Sequence, residues 1–507
     1  MTDAATLERR RWIALALLCV AQFVVVLDAS ITNVALPTIG ESLQISQDNL
    51  SWVVTAYALT FGGFLLLGGR LADLLGRRRV FMSGLVLFAL ASLAGGFAES
   101  EGMLIAARAV QGLGAAILSP AALSIVTTTF RDGAERNKAL GVWGAVAGSG
   151  GAAGVLLGGV LTEYLGWEWV LWVNVPIGIA AAAIAPSLIR ESRSESESRA
   201  FDFAGAVSVT AGLSLLVYAL IEAPDAGWGS TQTVGLLAGA VALLGAFVAV
   251  ERRSASPLMP FSIFRNRTLT GANVVGVLTG ASLFSMFFFI SLYMQNVLGY
   301  SAIKAGLSYL PLALTIIIAA GVASGLVTKL GYKPILATGM VFIATGLLWF
   351  SQISPDGTYL GDVLGPSILA AIGLGLAFVP QTIAAVSGVK ERLAGLASGL
   401  INTSQQVGGA VGLAVLSTVA FPQIEDGLVS AGSDPAAAAG VLTDGYADAF
   451  LAGAGIATLG LVATLVLIRG RDSRAHVELG AAPASSNGAG PDPIAEPAER
   501  ELVTESA

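Results

Sequence analysis

Long apolar runs broken by short polar connections set the pattern of this 507-residue chain. Each run lasts roughly 18 to 25 residues, enough for a helix to cross a hydrocarbon core about 30 Å thick. Fourteen such helices are expected, near 12–35, 51–69, 80–98, 103–127, 139–162, 168–189, 203–222, 233–251, 268–295, 305–328, 333–352, 362–387, 394–420 and 446–469. The connections sort by charge. With the N-terminus cytoplasmic, every second connection is basic: Arg9, Arg10 and Arg11; Arg70 and Arg77 to Arg79; Arg131, Arg136 and Lys138; Arg190, Arg193 and Arg199; Arg252, Arg253, Arg265 and Arg267; Lys329 and Lys333; Lys390 and Arg392; then the C-terminal tail. That places 25 of 27 basic residues on one side, leaving Lys304 outside and Arg108 within a span. A miscounted helix would invert every later loop, so the positive-inside rule supports fourteen spans with both termini cytoplasmic.

Composition agrees. Hydrophobic residues make up 55% and charged residues 12%, with mean hydropathy +0.77, where a soluble domain carries about 25% charged residues. The single cysteine, Cys19, excludes an intramolecular disulfide or a Cys-rich metal site, and the single histidine, His476, follows the last run. The first run follows three arginines, as a signal peptide would. It is too long for one, however, and ends in Asp28 and Asn33. The segment 421–445, with "SAGSDPAAAAG", is read as a flexible external linker. The tail 470–507 is read as disordered, being polar and Pro-rich.

"QGLGAAILSPAAL" from Gln111 is echoed by "IGLGLAFVPQTIA" from Ile372, each followed by Glu-Arg and a Gly/Ala-rich helix. Spans four and five therefore repeat as twelve and thirteen. The expected fold is all-α: a bundle of six helices over 12–190, an inserted pair over 203–251, and a second bundle of six over 268–469. Transporters built from such repeats bind substrate near the membrane midplane between them.

Asp28 is the deepest acid, and a charge there is costly unless it has partners or a function. Counting helical rise, it lies about 24 Å from the cytoplasmic face, and Arg108 lies about 8 Å from the external one. In a core about 30 Å thick the two meet at nearly equal depth. Either they form a structural pair, or a proton competes with Arg108 or substrate for Asp28 and so couples transport. Local hydrogen bonds to Thr32 or Asn33 are the bland alternative. Gln111, Tyr57, Asn33, Asn402, Gln405 and Gln406 are candidate cavity residues, as are the aromatics Phe284, Phe288 and Tyr293.

"GGRLADLLGRRRVF" (68–81) resembles the signature loop of the major facilitator superfamily at Gly69, Asp73, Gly76, Arg77 and Arg78. The resemblance implies a latch between helix groups, with glycines allowing close approach and Asp73 accepting charge-assisted hydrogen bonds. "RAVQGLGAA" (108–116) resembles the family's fourth-span motif. "GSGGAAGVLLGGVL" (148–161) resembles its antiporter signature at Gly150, Gly154, Gly158 and Gly159, with Val155 in place of the usual proline. "LDASITNVALP", "WVVTAYAL", "WEWVLWVNVPIG", "PLMPFSIFRNRTL" and "GLASGLINTSQQVGGAVG" are similar to the fourteen-helix drug:proton antiporter family, the EmrB/QacA type. Gln405 and Gln406 stand where some exporters of cations carry acids, so neutral, zwitterionic or monocationic compounds are favoured over divalent ones.

The resemblance implies a proton-driven exporter of small amphipathic drugs or antibiotics in a bacterial cytoplasmic membrane. A monomer is its expected working unit, with the proton gradient as energy source and no cofactor, metal or nucleic acid. A carrier for one defined metabolite, such as an amino acid or lipid precursor, is the alternative. A receptor would need an output domain larger than this tail. An ATP-driven pump or enzyme would need a Walker loop or a nucleophile–base pair, and neither motif is present in the sequence.

Overall fold

The computed structural model describes residues 2–130, 133–192, 202–254, 257–432 and 434–481. Its membrane helices are α1 (Thr2–Leu43), α2 (Trp52–Leu75), α3 (Arg77–Gly96), α4 (Glu101–Thr129), α5 (Ala134–Tyr164), α6 (Glu168–Leu188) and α7 (Phe203–Ala226). They continue with α8 (Thr231–Arg253), α9 (Arg267–Leu292), α10 (Leu310–Leu330), α11 (Tyr332–Phe350), α12 (Leu364–Val386), α13 (Ala394–Ala431) and α14 (Pro435–Leu467). Thirteen pass as single spans by length and apolarity, and α5 passes as a fourteenth made of the pieces Ala134–Gly151 and Ala153–Tyr164. The protein is a multi-pass membrane protein, and no strand occurs among the described residues.

Local chemistry sets the helix ends. Ser100 caps α4 by accepting the Met103 N–H, and Asn266 caps α9 by accepting those of Thr268 and Leu269. Between α2 and α3, Gly76 adopts φ +109°, where a side chain is strained and a Cβ would lie 2.5 Å from Glu191 Oε1.

The repeat recurs in the packing. In the first bundle α3 crosses α4 at Gly84 and Gly114, where a Cβ on either would come within 3 Å of the other helix's backbone. In the second, α11 crosses α12 at Gly339 and Gly373 with the same closeness. Without a hydrophobic driving force between helices in lipid, such small-residue crossings let dispersion contacts hold the bundle.

The inserted pair lies to one side. α7 packs on α2, with Ser214 in the notch at Gly63 and the Tyr218 ring 5.6 Å from Trp52. The turn after α7 reaches the second bundle, where Trp228 Nε1 donates to Thr418 Oγ1 on α13 at 2.5 Å. α8 is peripheral, most of its residues being exposed or half-buried, whereas most of α4 is buried.

Two sequence expectations are corrected. The expected linker at 421–445 is largely helical. α13 and α14 have 38 and 33 residues, about 57 and 50 Å at helical rise, so they outrun the core as a hairpin. Pro435 begins α14 at its first position, where the missing N–H costs nothing, and Val441 fills the notch at Gly427. The tail is also ordered at its start: Gly470–Ala481 forms α15. Thr268 Oγ1 donates to Asp472 at 2.6 Å, the Lys333 N–H donates to Ser473 at 3.1 Å, and His476 is buried. Residues 482–507 of the expected disordered tail lie outside the described residues.

Candidate functional site

Asp28 sits at the centre of a buried polar network. Its side chain has no solvent exposure, and Arg108 on α4 is buried beside it. Arg108 Nη1 donates to Asp28 Oδ2 at 2.6 Å and to Gln111 Oε1 at 2.6 Å. The other carboxylate oxygen accepts from Gln111 Nε2 and from Asn174 Nδ2 of α6, both at 2.7 Å. Ser92 on α3 accepts from the same two amides and donates to the Leu171 carbonyl. Arg108 Nε also donates to the Val53 carbonyl at 3.1 Å, and the Tyr57 ring lies 4.4 Å from the guanidinium carbon. Thr32 and Asn33 bond only to the backbone carbonyls of Asp28 and Ala29. The carboxylate is thus held from α4 and α6 rather than by its own helix.

The chemistry of this arrangement follows from the spare acceptors around Arg108. A protonated Asp28 offers one acceptor fewer and one donor more. Arg108 can then lean on Gln111 Oε1, the Val53 carbonyl and the Tyr57 face without leaving its place.

A second polar cluster joins the bundles at the face that carries the basic connections. Asp73 is fully buried. Its two oxygens accept the Gly395 and Leu396 N–H groups at the start of α13, both at 3.0 Å, and Arg77 Nη2 lies 3.3 Å away. Arg77 also donates to the Glu391 carbonyl at 2.6 Å. Gly69 and Gly395 touch backbone to backbone. On the other flank Asn137 of α5 donates to Thr328 and accepts from Ser324 on α10, while His476 is 3.1 Å from its Oδ1. These contacts tie the two bundles together at the basic face.

The sequence model described as the Major Facilitator Superfamily matches residues 18–413. The chain belongs to that superfamily. It is 45% identical over 441 residues to a cephamycin export protein of Amycolatopsis lactamdurans, covering 86% of this chain and 88% of that one. It is 40% identical to a puromycin resistance protein of Streptomyces alboniger, covering 92% and 93%. Among solved structures, the human organic anion transporter MFSD10 superposes with TM-score 0.63 at 17% identity over 90% of this chain and 99% of that one, a likeness of fold.

In this superfamily member the glycines of α5 form a ridge against the helix that carries Asp28. A Cβ at Gly150, Gly154 or Gly158 would lie 2.8 Å from Val26, 2.7 Å from the Leu27 carbonyl and 2.9 Å from the Ile31 carbonyl respectively. Gly159 faces Ile303, next to the second bundle. The pieces of α5 meet at 41° with Val155 in place of proline. Gly154→Val puts three carbons where one does not fit, and overpacking costs about 1–3 kcal/mol. The expected outcome is a folded protein whose transport falls at least tenfold, checked by flux beside size-exclusion profiles.

The candidate cavity residues separate into two groups. Gln111 and Tyr57 lie inside the sealed Asp28 network instead of lining an open cavity, and Asn33 is exposed. Asn402, Gln405 and Gln406 are half-buried on α13, and the Asn402 amide nitrogen has no partner among the described residues. Tyr293 donates to the Ser354 carbonyl at 2.7 Å, Phe288 packs on Phe289 and Phe421, and Phe284 is exposed. Arg78 and its neighbour Arg79 give their backbone N–H groups to Glu191, which caps α3 from the end of the first bundle. Glu191, Ser92, Asn174 and Asn137 were not expected from the sequence. Asn174 has a faint signal, being a lone amide inside "WVNVPIG"; the other three have none.

Proposed function

We propose that this protein is a proton-coupled antiporter that exports small amphipathic drugs or antibiotics from the cytoplasm of a bacterium. It lies in the cytoplasmic membrane with the basic face inward, takes its energy from the proton gradient and needs no cofactor. The supporting observation is the buried Asp28–Arg108 pair at 2.6 Å, in which Arg108 also has the Gln111 Oε1, the Val53 carbonyl and the Tyr57 ring as partners. The export and resistance roles in the names of its relatives support a drug-sized substrate, and the positive-inside pattern supports the orientation.

The test uses inside-out vesicles with an acidic lumen and no ATP, offered puromycin, a cephamycin, tetraphenylphosphonium and chloramphenicol. Accumulation of several of them, abolished by a protonophore, is the expected result. Accumulation of none by folded protein would replace this reading with a carrier for one metabolite.

A further inference from the structure

Resting on the transporter reading, we propose that Gln381 is the recognition group of an uncharged substrate subsite in the second bundle. It takes an amide, hydroxyl or carbonyl of the exported compound when the basic face opens. Gln381 on α12 is fully buried, yet neither its Oε1 nor its Nε2 has a partner among the described residues. A buried amide left unpaired costs about 1–3 kcal/mol, and an orphan of this kind in a folded protein calls for an explanation. Its direction supplies one. Nε2 points into the notch that Gly276 leaves on α9, 2.9 Å from where a Cβ would sit, with Ile401 and Ser404 of α13 converging on the same point. Ser404 is committed to Asn273 at 2.9 Å, and Asn273 to the Leu269 carbonyl. Of the side chains that meet at this notch, Ser404 and Asn273 are thus paired, and Gln381 is left with neither amide atom bonded among the described residues.

Opening follows from the same helix. The first turn of α13 is pinned by Asp73 at Gly395 and Leu396, so release of that latch loosens the helix that walls the notch. The ligand class follows from charge. α12 has no charged residue, α9 only Arg267 at its start, and α13 only Glu425 and Asp426 far toward its end. An ionised group placed at Gln381 would be buried without a counter-ion, whereas a neutral group that both donates and accepts matches an amide. The charged chemistry stays with Asp28 in the first bundle.

Chloramphenicol, neutral with an amide and two hydroxyls, and tetraphenylphosphonium, a cation with no hydrogen-bonding group, separate this subsite from general transport. Gln381→Leu removes the amide at similar volume, and Gly276→Ala keeps it but fills the notch. Each is expected to lower chloramphenicol flux about tenfold and leave tetraphenylphosphonium flux unchanged, with Gln381→Leu melting no lower than the parent. Equal loss of both fluxes, unchanged selectivity, or a lower melting point in Gln381→Leu would overturn the subsite and make the amide a packing element. Absence of both fluxes in the parent would overturn the drug-export reading, and the subsite with it.

Discussion

Asp28→Asn is expected to abolish uphill drug accumulation while leaving drug exchange down a gradient within about tenfold of the parent. Asparagine keeps the shape of the side chain and one acceptor for Gln111 and Asn174. It turns the oxygen that faces Arg108 Nη1 at 2.6 Å into a donor. Breaking a buried pair by removing one partner costs about 3–5 kcal/mol, part of which Val53, Gln111 and Tyr57 offset by holding the guanidinium. The substituted protein therefore folds with reduced stability, and with no titratable carboxyl at that depth it cannot exchange protons for drug. Uphill and downhill fluxes in the same vesicle preparation check this. Uphill accumulation that survives the substitution would assign the pair to structure alone.

Asp73→Asn is expected to open the basic face. Asp73 offers two charged oxygens to two N–H groups at the start of α13 and to Arg77. An asparagine amide must present a donor to one of them. Hydrogen bonds to a charged group contribute about 1.5–3 kcal/mol, and each 1.4 kcal/mol is about tenfold in population. Between tenfold and a hundredfold more of the open form follows, about one to two decades. Ser398, fully buried on α13 beside this latch, is the reporter position. With Cys19 replaced, a cysteine at position 398 is expected to react with a membrane-impermeant maleimide at the basic face at least tenfold faster in the Asp73→Asn background. Equal labelling in both backgrounds would show that the latch does not set the equilibrium.

The span count and the Asp28–Arg108 pairing were legible because each rests on one robust quantity, the length of an apolar run or depth along a helix. The shared depth of the two charges is what the 2.6 Å contact reflects. Asn174 and Ser92 were not legible, because a small polar residue inside an apolar run does not declare which neighbour it faces. The α13–α14 hairpin was misread for a different reason. Ala, Gly, Ser and Pro suit a linker, yet alanine is also the best helix former, and packing of Val441 at Gly427 decides the outcome. The tail was misread because twelve residues cannot hold a helix alone, whereas α15 is held by Asp472, Ser473 and His476 against the second bundle and Asn137. Gln381 was missed because an amide beside a proline, "FVPQT", reads as helix packing until its lack of a partner is seen.

The most direct test of proton exchange at Asp28 is the proton released when drug is added to purified protein in weakly buffered detergent solution, read with a pH-sensitive dye. The parent is expected to release protons in saturable proportion to drug bound, and Asp28→Asn to bind drug without release. Equal release from the two proteins would contradict the account, because the exchanged proton would then come from a group other than Asp28.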